Sequence, residues 1–262
     1  MDRAGLHTLL EAVRAGAVPV DEAAARLARL APSVVGSGEA GTPPVAHVDH
    51  HRALRCGFPE VVYAPGKTAT DLARIAREVL TRAERLLVTR VEGEPLAALL
   101  DAVPDAVHHA RARAVTVTRG APREGRMGVT IVAAGTADVP VAEEARVTAE
   151  SMGEAPSAIY DVGVAGLHRL LARHEDIRAA RVLVVVAGME GALASVVGGL
   201  VDRPVIAVPT STGYGVNLQG VATLLAMMSS CAPNVTVVNV DNGFGAGYVA
   251  SLVNRIGSEE RR

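Results

Sequence analysis

Val182-Leu183-Val184-Val185-Val186-Ala187 runs into Gly188-Met189-Glu190-Gly191, and a small-residue helical pattern follows. The same design recurs twice. Pro204-Val205-Ile206-Ala207-Val208 runs into Pro209-Thr210-Ser211-Thr212-Gly213-Tyr214-Gly215. Val235-Thr236-Val237-Val238 runs into Asn239-Val240-Asp241-Asn242-Gly243-Phe244-Gly245-Ala246-Gly247. Short unbroken apolar runs alternating with helical patterns read as parallel strands buried on both faces and joined by crossover helices. The glycines and polar residues fall just after each strand. That is the carboxyl edge of an open α/β sheet, where ligands bind.

Working outward, the alternation is regular from Gly128 on. It predicts strands at 128–133, 158–162, 182–187, 204–208 and 235–239, with helices at 138–151, 165–174, 190–200, 217–229 and 244–256. Ahead of it, strands are expected at 45–48, 60–63, 86–89 and 114–118, and helices at 69–80 and 94–102. Leu6, Leu9, Leu10 and Val13, then Ala24, Leu27 and Leu30, mark a pair of short helices. Gly36–Pro44 reads as a linker, and the polar run from Arg119 to Gly125 as a boundary. The expected plan is a helical hairpin over 1–35, a small α/β domain over 45–120 and a three-layer parallel-sheet α/β domain over 121–262.

The 262 residues suffice for a substantial core. With no Trp and two Phe, that core must be built from Ala, Val and Leu. A net charge of -2 carries no electrostatic signal for nucleic acid or a membrane surface. No apolar run approaches a membrane span, and no signal-like core opens the chain. Two cysteines point to a cytoplasmic protein without a disulfide framework. Lys67 is the only lysine among 26 basic residues. It is either needed for its compact ammonium or a survivor by chance.

Several positions carry candidate chemistry, each with a plain structural alternative. Thr136 or Asp138 in Gly135-Thr136-Ala137-Asp138-Val139-Pro140 caps a helix whose free N–H groups suit a phosphate. Pro65-Gly66-Lys67-Thr68 resembles the end of a P-loop, yet Val61 stands where the leading glycine belongs. Its strand–loop–helix placement leaves Lys67 a phosphate contact or a solvated surface site. The pairs His50-His51 and His108-His109 lack any metal-ligand spacing. Glu190, where a strand meets a helix, is either settled by the helix dipole or a general base. Cys231 near a helix C-terminus reads from its position alone as a small buried apolar residue. Asn242-Gly243 opens a glycine-rich loop compatible with close approach to a nucleotide.

Ala134 to Pro140, Ala187 to Ala192 and the final glycine loop together resemble the aminoimidazole ribonucleotide carboxylase/mutase (PurE) family. The match to its LarB branch is closer, and it extends to Asp49-His50-His51-Arg52, Gly57 to Val62, Gly66-Lys67-Thr68, Ser211 to Gly215 and Ser230-Cys231-Ala232-Pro233. The purine enzymes place a catalytic His at a position corresponding to about Ala194 here, and no nearby His replaces it. The LarB resemblance implies carboxylation of the pyridinium ring of nicotinic acid adenine dinucleotide by CO2, then hydrolysis of the phosphoanhydride. The products are pyridinium-3,5-biscarboxylic acid mononucleotide and AMP. It further implies Cys231 as nucleophile and Glu190 as proton-transfer residue. Thr136, Asp138, Gly188, Met189, Ser211, Thr212, Gly213, Asn242, Gly243 and Lys67 would face the substrate. The resemblance implies magnesium as the ion, with Asp138 a possible ligand, and a homo-oligomer with shared sites. An aminoimidazole ribonucleotide mutase and a non-catalytic nucleotide-binding protein are the alternatives.

Overall fold

The structure is a computed structural model that describes residues 1, 3–36, 44–120 and 124–259. Most of the expected linker (37–43) and part of the expected boundary run (121–123) lie outside the described residues. The chain divides into two compact units, Met1–His109 with Arg113–Ala121, and Ala110–Ala112 with Pro122–Arg262.

The first unit begins with α1 (Arg3–Arg14) and α2 (Val20–Ala28). A two-stranded antiparallel ribbon follows, β1 (Ser33–Val35) on β2 (Ala46–Val48), so the end of the expected hairpin segment is strand. After the short α3 (Arg52–Cys56) come β3 (Val62–Tyr63), α4 (Ala69–Leu80), β4 (Arg85–Thr89), α5 (Gly93–Ala102), β5 (Val107–His109) and β6 (Ala114–Thr118). The sheet order is β3-β4-β6-β5, with β3 and β4 parallel and the other pairs antiparallel. Leu72, Ile75, Ala76 and Val79 of α4 and Leu99 of α5 cluster with Leu86, Val88, Val115 and Val117 of the sheet. Thr68 caps α4 by accepting the Asp71 N–H at 3.1 Å.

The second unit runs β7 (Val129–Ala133), α6 (Val139–Ser151), β8 (Ser157–Ile159), α7 (Leu167–Leu171), α8 (His174–Arg178), β9 (Val182–Ala187), α9 (Ala192–Leu200), β10 (Val205–Pro209), α10 (Val221–Met228), β11 (Val235–Val237) and α11 (Gly243–Glu259). Its five strands are all parallel, in the order β11-β10-β9-β7-β8. Alternate residues of β9 serve opposite faces. Val182, Val184 and Val186 cluster with Ala142 and Ala145 of α6 and Ala246 and Ala250 of α11. Leu183, Val185 and Ala187 cluster with Leu170, Ile177, Leu193, Val197 and Met227 on the other side. Helices therefore cover both faces, giving the expected three layers. Among the described residues no helix is long and apolar enough to cross a membrane.

Departures from the expected elements have local causes. The helix expected over 165–174 is two short ones. Arg173 leaves helical angles between them, which lets Leu170 and Ile177 both reach the core. Leu218, Gln219 and Gly220 all have positive φ, so the helix expected from 217 starts at Val221. Asp161, with φ 60, turns the chain just beyond β8, which is shorter than expected.

Candidate functional site

The order of the second sheet reverses between β7 and β9: β8 lies outside β7, while β10 and β11 continue beyond β9. Ligand crevices open at such a switch point, beyond the carboxyl ends of the two strands. Gly135-Thr136-Ala137-Asp138 follows β7 there, and Gly188-Met189-Glu190-Gly191 follows β9.

Asp138 is the buried centre of this edge. Its Oδ2 accepts the Gly135 N–H at 3.0 Å, and its Oδ1 accepts the Thr210 hydroxyl at 2.7 Å. Burial raises its pKa, while hydrogen bonds from Thr210, the Gly135 and Gly188 amides and Thr212 oppose the rise. One carboxylate thus ties together the ends of β7, β9 and β10. Both of its oxygens are engaged. Among the described residues no group of three or more His, Cys, Asp or Glu stands close enough to hold a metal ion.

The loop after β9 is fixed from beneath. The Met189 N–H donates to the Thr212 carbonyl at 2.8 Å. The Met189 carbonyl accepts from Asn217 Nδ2 at 3.1 Å and from the Thr223 hydroxyl. Asn217 Oδ1 accepts the Gly220 N–H at 2.7 Å. Met189 has φ 53, an uncommon conformation for a non-glycine residue. Gly188 is needed because a Cβ there would run into Thr210 and Thr212. The consequence is that Met189 and Glu190 stand exposed on a braced turn. The Glu190 carboxylate takes no hydrogen bond or ion pair among the described residues, and Gly191 offers α9 no side-chain cap. Thr136, Ser211 and Gly213 are exposed on the same edge. Asp241 reaches across to accept the Ser211 N–H at 2.8 Å. Asn217, Thr210, Thr223 and Asp241 were not singled out in the sequence. Their only signal is a polar side chain within or beside a glycine-rich loop.

Asn242 and Gly243 have structural tasks at the start of α11. Asn242 Oδ1 caps α11 by accepting the Gly245 N–H at 2.8 Å. Gly243 is buried, and a Cβ there would strike the Val141 carbonyl of α6; a Cβ at Gly247 would strike the Ala145 carbonyl. The glycine run is a close helix–helix contact.

Cys231 also departs from expectation, because its thiol is exposed and not buried. It precedes β11, and the neighbouring Asn234 carbonyl accepts the N–H of Val205, the first residue of β10, at 2.9 Å. Asn234 thus marks the amino edge of the sheet. The neighbouring Ser230 hydroxyl lies 2.8 Å from that of Ser195 in the first turn of α9, and a Cβ at Gly198 would meet Ala232, so Cys231 flanks the helix that starts just beyond Glu190. Beside Cys231, α10 turns Val221, Leu225 and Met228 to solvent, and Tyr214, Val216 and Leu218 are exposed just ahead of it.

On the carboxyl side of β8, the Tyr160 hydroxyl donates to Glu143 Oε1 at 2.6 Å, and Arg146 holds Oε2 at 2.7 Å. Burial, helped by Glu143, pushes the Tyr160 phenol above its ordinary value. Burial raises Glu143, but Arg146 and Tyr160 outweigh it and hold the carboxyl below its ordinary value.

Lys67 belongs to the first unit. Ala64-Pro65-Gly66-Lys67 is a tight turn with Gly66 at φ 81, closed by the Lys67 N–H on the Ala64 carbonyl at 3.1 Å. The Lys67 ammonium donates to the Tyr63 carbonyl at 2.7 Å. His50 is buried there, with Ser33 Oγ at 2.7 Å and Glu78 Oε1 at 3.3 Å on the same Nε2. One nitrogen serving both partners is a packing arrangement, since a proton relay needs the acid on the other ring nitrogen.

Two family models match the chain: a LarB/PurE-like N-terminal domain over residues 41–119, and AIR carboxylase over residues 128–261. An uncharacterized protein of Methanocaldococcus jannaschii, MJ0165, is 40% identical over 222 residues, spanning 80% of this chain and 84% of that protein.

Proposed function

Given that the chain belongs to the LarB-like, PurE-related branch of the AIR carboxylase family, we propose that it carboxylates the pyridinium ring of nicotinic acid adenine dinucleotide and hydrolyses the phosphoanhydride. The observation that carries this is the exposed thiol of Cys231. A lone cysteine kept for packing is buried. An exposed one, in a carboxylase domain whose position 194 is alanine, fits a nucleophile better than a structural part.

The chemistry follows from the ring. A pyridinium is electron-poor and does not attack CO2. Addition of the Cys231 thiolate beside the target carbon forms a C–S bond and leaves an enamine, whose carbon then bonds to CO2. Glu190 takes the proton from that carbon. The C–H electrons restore the aromatic ring as the C–S bond breaks and the thiolate departs. Water then attacks phosphorus, and the P–O–P bridge opens to give the dicarboxylated mononucleotide and AMP.

Thr136, Met189, Ser211, Thr212 and Gly213 are the proposed substrate contacts, on the scaffold of Asp138, Thr210 and Asn217. Magnesium is proposed to arrive on the substrate diphosphate, because both Asp138 oxygens are already taken and no carboxylate cluster is at hand among the described residues. We further propose that Cys231 and Glu190 serve one site built from two copies of the chain. The apolar face of α10 beside Cys231 supports that assembly.

The test is mass spectrometry after incubating the protein with the dinucleotide, magnesium and labelled bicarbonate. AMP with a labelled dicarboxylated mononucleotide is the expected result. Glu190→Gln should lower kcat by roughly 10²–10⁴, the range for a positioned acid–base group. Cys231→Ser retaining full turnover would overturn the mechanism.

A further inference from the structure

We propose that Tyr214 is a further substrate-binding residue, whose ring lies against the charged pyridinium ring and selects it over an uncharged one. The inference deepens the carboxylase reading and rests on it.

The state of one ring among four carries it. The chain has four tyrosines, two phenylalanines and no tryptophan. Three of the tyrosines are employed within the fold. The Arg90 guanidinium lies 5.9 Å from the centre of the Tyr63 ring, the Tyr160 hydroxyl donates to Glu143 at 2.6 Å, and the rings of Tyr248 and Phe244 pair at 5.9 Å. Tyr214 is 82% exposed, and its ring and hydroxyl have no partner among the described residues. It forgoes the large apolar burial that an aromatic side chain otherwise supplies.

Its backbone, by contrast, is tied to the Glu190 turn from both sides. Two residues before Tyr214, the Thr212 carbonyl accepts the Met189 N–H at 2.8 Å. Three residues after it, Asn217 donates its N–H to the Tyr214 carbonyl at 3.3 Å and its Nδ2 to the Met189 carbonyl at 3.1 Å. The two neighbours of Tyr214 are glycine for local reasons. A Cβ at Gly213 would strike the Asn217 side chain at 2.5 Å, and Gly215 has φ 60. A free ring on a braced backbone therefore stands at the rim of the turn that presents Met189 and Glu190. Only its side-chain torsions remain to be ordered when a ligand arrives, which keeps the entropic cost of contact low.

The neighbours select the ligand class. The Glu190 carboxylate is exposed and takes no hydrogen bond or ion pair among the described residues. Met189 is exposed beside it, with a thioether that adapts to the edge or face of a ring. The face of an aromatic ring and an unpaired carboxylate both attract a cation. A flat, positively charged heteroaromatic ring suits all three groups. A pyridinium is such a ring. A dihydropyridine carrying the same diphosphate and adenosine is not, because it has neither the charge nor the aromaticity.

The experiment is calorimetric titration of the full chain, without magnesium or bicarbonate, with nicotinic acid adenine dinucleotide and with its 1,4-dihydro form. Wild type should bind the pyridinium form more tightly. Tyr214→Leu should lower the ratio of the two affinities by about threefold to thirtyfold, the span of a cation–aromatic contact from exposed to desolvated settings. Tyr214→Phe keeps the ring and should keep the ratio. Equal affinities in wild type, an unchanged ratio in Tyr214→Leu, or a ratio lost as fully in Tyr214→Phe would overturn the contact. So would a lower mass of Tyr214→Leu by light scattering, which would make the ring an anchor between copies. Turnover with labelled bicarbonate tests the carboxylase reading separately. Wild-type turnover with an unchanged ratio in Tyr214→Leu removes only the ring contact. A ratio that depends on Tyr214 without any turnover leaves the ring contact standing and removes the carboxylase.

Discussion

At the scale of single residues, the second unit's site is a set of exposed groups standing on buried polar ones, and Asp138 is the group that bears most. Asp138→Ala would strip the acceptor from the Thr210 hydroxyl and the Gly135 amide. Unfolding in urea should show a loss of about 2–3 kcal/mol, the penalty for leaving buried donors unpaired. The pH dependence has a definite sign. The folded-state pKa of Asp138 is raised, so below it the native protein binds a proton that the unfolded chain still releases. The stability difference between wild type and Asp138→Ala should therefore widen as pH falls through the folded-state value toward 3.8. Tyr160 gives a second test with a raised pKa. Its contribution is complete below about pH 10, the ordinary phenol value, and declines as pH rises from there toward the raised folded-state value. Wild type and Tyr160→Phe should converge in stability as pH rises past 10. A constant gap would refute the phenol–carboxylate bond as its source. Asp138 was legible in the sequence as a cap beside a strand end. Its partners Thr210 and Asn217 were not, because a residue buried by a distant loop leaves no periodic mark.

Among the elements, strands and helices were the most legible, since each answers to its own spacing. The runs 182–187 and 69–80 match β9 and α4 residue for residue. The strands missed, β1 and β5, have three residues each, too few to establish a period. The glycines of α11 show the other limit. Gly243 and Gly247, four apart, read as a nucleotide loop in one dimension, and in three they also make a close helix contact that no spacing announces. Gly243→Ala and Gly247→Ala should each push α11 off α6 and cost about 1–3 kcal/mol, as overpacked cores do. Thermal denaturation of each variant checks this. A ligand role would instead leave stability intact and raise KM.

For the whole molecule, assembly was implied only by resemblance, and no single-chain pattern could show which residues meet across copies. The proposal that Cys231 and Glu190 of one site come from two copies turns this into a mixing experiment. Cys231→Ser and Glu190→Gln proteins are each expected to be inactive alone. Unfolded together and refolded, they should recover carboxylation in about a quarter of the sites, wherever an intact cysteine of one copy meets an intact glutamate of another. No recovery in mixed assemblies would mean that one chain holds both groups. Leu225→Glu on the exposed face of α10 should lower the mass seen by light scattering and abolish that recovery.

The register of the central strands also sets a clock. Val129 must find Val182 before β9 can pair with β7, and the helices that cover both faces lie between and beyond them. Sheets whose neighbours are far apart along the chain close late, because a long loop is ordered before any contact rewards it. Until then the valines of β9 have no cover on either side. A newly made second unit should pass through a sticky interval of milliseconds to seconds, the range for folds rich in non-local pairing. Its yield on refolding should fall with protein concentration for that reason alone.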